Sequence, residues 1–202
     1  MIHARATVAL AAFAALAATA AADPRTDKVP FTDLATLAPG VRLDIRYATE
    51  NNFTRKQVYT EAKCLLRHPV AERLARVQSA LRAAGYGLQI FDCWRPLAVQ
   101  RRFFALVPDE RYVADPRKGS RHNRGAAVDL TLVDKDGHAL DMGTDFDDFR
   151  ERAHRGYRGI PEEAKKNRSV LDAAMAKEGF VGLPTEWWHF DAGDWKNYPI
   201  SE

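Results

Sequence analysis

The stretch SRHNRGAAVDLTL, Ser120 to Leu132, places His122 and Asp129 seven positions apart. In an α-helix that spacing covers two turns, roughly 10.5 Å at 1.5 Å per residue, too far for two ligands of one ion. In a strand the separation is longer still, and an odd offset sends the two side chains to opposite faces. The chain must therefore bend between them if both are to meet one metal ion. Gly125 is the residue that permits a sharp bend, because it reaches positive φ without steric penalty. Beyond it Val128, Leu130 and Leu132 alternate with Ala127, Asp129 and Thr131, which predicts a strand with one apolar face and one small or polar face. That pattern puts Asp129 on the open face, beside small neighbours that leave room for a ligand. Alone, the pair equally describes a turn carrying a solvated carboxylate and a hydrogen-bonded histidine.

The segment EWWHF, Glu186 to Phe190, supplies further ligand types. Its aromatic residues favour a strand, in which Glu186 and His189 would oppose each other. Glu186 is therefore expected at the loop end, after Pro184-Thr185. Taken alone, His189 also fits a structural histidine in an aromatic cluster. Together, His122, Asp129 and His189 form an N,O,N set suited to zinc, with a fourth position for water. Glu186 is then the spare carboxylate that takes the water's proton. Arg95, fixed by Pro96 at the end of a strand, is a permanent cation available to a developing oxyanion.

Around these segments the chain reads as an α+β domain, a small antiparallel sheet flanked by helices. Residues 23–40, with Pro24, Pro30 and Pro39, read as an extended lead-in, and Val41–Tyr47 as an edge strand. Pro69 opens a helix with the stripe Val70, Leu74, Val77 and Leu81, ended by Gly85. A strand over Leu88–Phe91 leads into a second helix opened by Pro96. Asp134-Lys-Asp-Gly137 is a turn into a partner strand near Ala139–Met142, and it lacks the other ligands of a calcium loop. A third helix runs over 161–178, and a last strand over Trp187–Asp191.

Met1–Arg5, the apolar run Ala6–Ala18 and the small residues up to Ala22 have the form of a secretory signal peptide, residues 1–22, removed on export. The run is short and rich in weakly apolar alanine, so no stable membrane anchor is expected, and no cysteine directly follows it, so no lipid anchor is expected either. The mature protein is placed in the periplasm or outside the cell. About 180 remaining residues suit one domain, residues 41–202, after the lead-in. The formal net charge of +3, about +2 without Arg5, carries no basic block interleaved with aromatics, which gives nucleic-acid binding no support. Cys64 and Cys93 fit neither a redox nor a zinc-knuckle spacing; one disulfide and two buried thiols are both compatible with the sequence. Nothing in the sequence sets the oligomeric state.

GSRHNRGAAVDLTL resembles the S-x-H-x-x-G-x-A-x-D motif of the zinc D,D-peptidases that share a fold with the hedgehog signalling domain, and EWWHF resembles their E-x-W-H motif. Asp92-Cys-Trp-Arg-Pro96, Asp141-Met-Gly-Thr-Asp-Phe-Asp147 and Arg46-Tyr-Ala-Thr-Glu-Asn-Asn-Phe53 are similar to blocks of one branch, the D-alanyl-D-alanine dipeptidases of the VanX type. The likeness runs from about Val41 to His189. One departure is DCWRP, where the family usually has a small residue and then tyrosine. The resemblance implies one zinc ion on His122, Asp129 and His189, with Glu186 as base and Arg95 as transition-state cation. It further implies Asp147 as the carboxylate for the substrate ammonium and Ser120 as a contact to the substrate carboxylate. A D,D-carboxypeptidase acting on longer wall peptides and a non-catalytic zinc module that binds wall peptide are the rival readings.

Overall fold

The strand predicted after Gly125 is the centre of the sheet. This strand, β5 (Ala127–Asp134), pairs antiparallel with β4 (Tyr86–Asp92) on one side and β7 (His189–Ala192) on the other. Next to β7 lies β6 (Phe180–Gly182), also antiparallel, and at the opposite edge β2 (Arg42–Leu43) runs parallel to β4. The strand order is therefore β2-β4-β5-β7-β6. The structure, a computed structural model, describes residues 29–202, so the signal peptide expected over 1–22 and the start of the lead-in lie outside the described residues. Among the described residues no helix is long and apolar enough to cross a membrane.

Two long helices cover the sheet. Helix α1 (His68–Ala83) begins with Pro69 in its first turn and buries Val70, Leu74, Val77 and Leu81, the stripe read from the sequence. Each such side chain contributes roughly 1.5–3 kcal/mol when fully removed from water. Helix α3 (Glu162–Lys177) carries Glu162 and Glu163 in its first turn and Lys177 in its last, charges that complement the helix dipole. It packs on α1, β5 and β6. The shorter α2 (Leu97–Leu106) follows Pro96.

The expected α+β domain is present, with several local differences. The edge strand read over Val41–Tyr47 is limited to Arg42–Leu43. Asp44 N–H still bonds the Ile90 carbonyl, and the chain then turns into a 3-10 helix at Arg46–Ala48 that buries Tyr47 among Phe53, Phe103 and Phe146. The partner strand expected at Ala139–Met142 is reduced to one bridge, Val133 to Ala139. Strand β6 escaped the reading because three residues give no alternation to detect. The lead-in is extended only in part. Its β1 (Phe31–Asp33) pairs antiparallel with β3 (Leu65–Arg67), and a 3-10 turn at Leu34–Thr36 buries Leu34.

The polar face of β5 is also not open. Asp129 and Thr131 are 3% and 2% exposed; Arg95, resting on the rings of Tyr47 and Phe103, reaches over Asp129 to 3.9 Å. Cys64 and Cys93 form a disulfide.

Candidate metal centre and cleft

Three strands bring the polar residues into one row. Asp92 lies opposite Asp129 across β4–β5, and Asp129 lies opposite His189 across β5–β7. His122 enters this row from outside the sheet, on a 3-10 turn (His122–Arg124) closed by Gly125 at φ 65°. A side chain at Gly125 would be strained by that backbone and would also meet the Phe31 ring. The bend required by the sequence is thus present at the residue expected to make it.

The hydrogen bonds of the two histidines aim their other nitrogens inward. His122 Nδ1 lies 2.7 Å from the Cys93 carbonyl, which only accepts, so that nitrogen carries the proton. His189 Nε2 lies 2.9 Å from Asp191 Oδ1 and donates to it in the same way. In neutral rings the remaining nitrogens are therefore lone-pair acceptors, yet His122 Nε2 and His189 Nδ1 face each other at 3.2 Å. The carboxylate of Asp129 faces both, Oδ1 at 3.0 Å from His189 Nδ1 and Oδ2 at 3.4 Å from His122 Nε2.

Three converging acceptors repel one another unless a cation or proton lies among them. Ligands about 2.0–2.1 Å from one tetrahedral zinc ion stand about 3.3 Å apart, close to the 3.2 Å between the two histidine nitrogens, and one Asp129 oxygen lies within 4.8 Å of both. The outward bonds to Cys93 and Asp191 are of the kind that fix ring orientation in metal sites. The donor set therefore fits zinc. Without an ion, burial pushes the His189 imidazolium down, but Asp191 and Asp129 outweigh it and hold the ring up to about 10. Burial pushes the Asp129 carboxyl up, and His122 and His189 overrule it, holding it well below the usual carboxylate range.

Glu186 lies in the loop before β7, as expected, with Oε2 3.9 Å from His189 Nδ1. Burial pushes its carboxyl up to about 8, against the pull of His189. Arg95 is held on two sides. Asp92 Oδ2 accepts from its Nε at 3.1 Å and Nη2 at 2.7 Å, and Gln100 Oε1 accepts from Nη1 at 2.9 Å. Burial works against its charge, but Asp92, Tyr59, Tyr47 and Asp129 together outweigh that and keep the guanidinium fully protonated.

Asp147 adopts φ 60°, and no helix opens there. Its Oδ1 accepts from the Tyr47 hydroxyl at 3.0 Å and its Oδ2 from the Phe53 N–H at 3.3 Å. Burial nevertheless pushes this carboxyl up to about 7. Ser120 Oγ accepts the His122 N–H at 3.2 Å. All the sequence-predicted site residues line one cleft of about 70 Å³, far smaller than the ~300–1,000 Å³ of pockets for drug-sized ligands.

Several supporting residues were missed in the sequence. Asp92 was read only as part of a motif, although its spacing of three from Arg95 permits the ion pair. Asp191 shares a face with His189 two residues earlier, a signal that strand alternation offers. Gln100 sits within α2 and had no local signal.

The sequence profile of the D-ala-D-ala dipeptidase family of peptidases matches residues 27–200. The chain belongs to this family. The D-alanyl-D-alanine dipeptidase of Escherichia coli (strain K12) is 40% identical over 174 residues, covering 86% of this chain and 90% of its own. That of Enterococcus faecium is 33% identical over 195 residues, covering 86% and 96%. Among solved structures, a vancomycin-resistance D,D-pentapeptidase mutant in complex with Zn(II) aligns at 17% identity and a TM-score of 0.44, over 67% of this chain and 76% of that one. Family membership extends across nearly the whole described chain, so the cleft lies inside the shared domain and not in an added segment.

Proposed function

We propose that this chain is a zinc-dependent dipeptidase that hydrolyses D-alanyl-D-alanine to D-alanine. The observation that carries the reading is the triangle of His122, Asp129 and His189 with Glu186 beside it, in a chain of the D-ala-D-ala dipeptidase family. Residues 41–202 would form the catalytic domain, following a signal peptide over 1–22, and the site of action would be the periplasm or the cell exterior. There the reaction suits salvage or remodelling of wall-derived dipeptide.

Zinc on these residues supplies Lewis acidity, which polarises a carbonyl and lowers the pKa of water to about 7. Glu186 takes the proton of the attacking water and returns it to the leaving amine. Arg95 donates to the oxygen on which charge develops, held for that task by Asp92 and Gln100. Asp147 receives the substrate ammonium and Ser120 contacts the substrate carboxylate. The small cleft and a carboxylate for the free amine favour a dipeptide over a longer peptide.

The test compares hydrolysis of D-Ala-D-Ala with that of N-acetyl-D-Ala-D-Ala, each with and without a chelator. Chelator-sensitive cleavage of the free dipeptide is expected, with the acetylated compound a poor substrate. Efficient cleavage of the acetylated compound would favour a carboxypeptidase, and no cleavage of either a binding module.

A further inference from the structure

Cys93 sits between the two halves of the site, bonded through its sulfur to Cys64. Both cysteines are buried, at 1% and 0% exposure. The Cys93 carbonyl accepts from His122 Nδ1 at 2.7 Å, the bond that turns Nε2 of that ring toward the other metal donors. The Cys93 N–H donates to Asp92 Oδ1 at 2.9 Å, and Asp92 Oδ2 holds Arg95. One residue thus bears on a metal ligand through its carbonyl and on the Arg95 clamp through its amide.

The ladder of β4 does little to hold this residue. Pairing with β5 shifts register between Ile90 and Asp92, and the strand ends at Asp92. The segment is held from outside at Asp92 by the Tyr59 hydroxyl (2.8 Å) and at Arg95 by Asn123 Nδ2 on its carbonyl (2.7 Å) and by its own N–H on the His122 carbonyl (3.2 Å). Cys93, between them, is anchored from the neighbourhood of Cys64. The disulfide fixes Cys93 itself, and the carbonyl of Leu65 accepts the Trp94 N–H at 3.0 Å.

We infer that the Cys64–Cys93 disulfide is a positioning element for the metal centre and for Arg95, an inference that rests on the zinc-site reading. Without the crosslink the Cys93 carbonyl loses its fixed place, and with it the orientation of His122 and the seat of Asp92. Partners of this kind typically change metal affinity or activity by about 10–100-fold. A disulfide that acts only by constraining the unfolded chain would raise stability and leave the folded site unchanged.

The test uses the Cys64→Ala/Cys93→Ala double variant and the Cys64→Ala single variant, with Leu171→Ala as a control that opens a core cavity in α3. Zinc affinity is measured by competition with a chromophoric chelator, and kcat and KM for D-Ala-D-Ala with saturating zinc, all well below the lowest Tm. In the cysteine variants zinc should bind about 10–100-fold more weakly. Their kcat should fall about tenfold through misplacement of Arg95, while KM stays within about twofold because Asp147 lies on a separate loop. Leu171→Ala should lose Tm and keep both zinc affinity and kcat. Failure of both cysteine variants to fold would also overturn the inference, because the crosslink would then act on the whole fold and not on the site. Zinc affinity and kcat within about twofold of the parent, with only Tm lowered, would overturn the inference and leave a purely stabilising crosslink. A parent chain that binds no zinc would overturn the metal reading as well, a distinct result.

Discussion

Asp147→Asn should make the protein more stable at neutral pH and less active on D-Ala-D-Ala. The Asp147 carboxyl is pushed from 3.8 up to about 7 by burial, despite its bonds from Tyr47 and Phe53. Between those two values the folded chain holds a proton that the unfolded chain has released, so folding stability falls as pH rises from about 4 to about 7 and is level above that. At 1.36 kcal/mol for each tenfold change, the full span is roughly 4 kcal/mol, an upper limit for a side chain that is not wholly buried. Asparagine removes this titration and tolerates the left-handed backbone that Asp147 adopts. The difference in unfolding free energy, variant minus parent, should therefore grow by roughly 2–4 kcal/mol between pH 4 and pH 8. Urea unfolding of chelator-treated protein at a series of pH values measures it. On the same substitution kcat/KM for the dipeptide should drop by about one to three orders of magnitude, since truncating a buried charge pair costs roughly 2–5 kcal/mol and the amide retains part of it. Asp145→Asn is the control, because Asp145 is exposed and pairs only at the surface with Arg46. A stability difference that is flat or declines with pH would refute the assignment of a buried, raised carboxyl at this position.

The proposed metal ligands give a direct expectation: His122→Ala and His189→Ala should each lose bound zinc and activity together, as read by metal analysis, and unaltered zinc in both would place the site elsewhere. Glu186→Gln should keep zinc and fold yet lose about 10²–10⁴-fold in kcat, the usual range for a general base; loss of zinc along with turnover would make Glu186 a ligand instead. Arg95→Lys should be severely impaired, because an ammonium cannot take the two contacts to Asp92 and the one to Gln100 that orient the guanidinium. Near-normal kcat in that variant would remove Arg95 from a transition-state role.

Much of this site was legible because its residues obey local rules. The odd offset of His122 and Asp129 demanded a bend, Gly125 stood where one was possible, and alternation after it marked the central strand. Glu186 was placed in the loop because His189 three residues later had to lie in a strand. What escaped was set by contacts distant in sequence. Nothing within Val41–Tyr47 shows that Tyr47 will leave the strand to join Phe53, Phe103 and Phe146 and donate to a carboxylate a hundred residues away. The disulfide was open for the same reason, since its geometry depends on where β3 and the end of β4 meet. Asp92 and Asp191, by contrast, were within reach of spacing arguments and were overlooked.

The charge balance of the cleft suggests how substrate length is read. Asp92, Asp129, Asp147, Glu186 and Asp191 surround a region whose cations include Arg95, Arg121 near Asp191, Arg111 at the rim where it pairs with Asp109, and His189 when protonated. Arg95 is committed to Asp92, and Asp147 and Glu186 lack an adjacent cation of comparable strength, so burial raises both carboxyls. A divalent ion among His122, Asp129 and His189 answers the excess near Glu186. In the proposed binding mode a substrate ammonium at Asp147 would answer the other. A free dipeptide carries that ammonium, whereas an acylated peptide leaves the Asp147 carboxylate with only the Tyr47 hydroxyl and the Phe53 N–H. At neutral pH the raised Asp147 carboxyl then keeps its proton and the ion pair is not formed, a loss of at most roughly 2–5 kcal/mol with no steric clash required. Lengthening the substrate at its amino end is therefore opposed by the loss of a charge even where space remains.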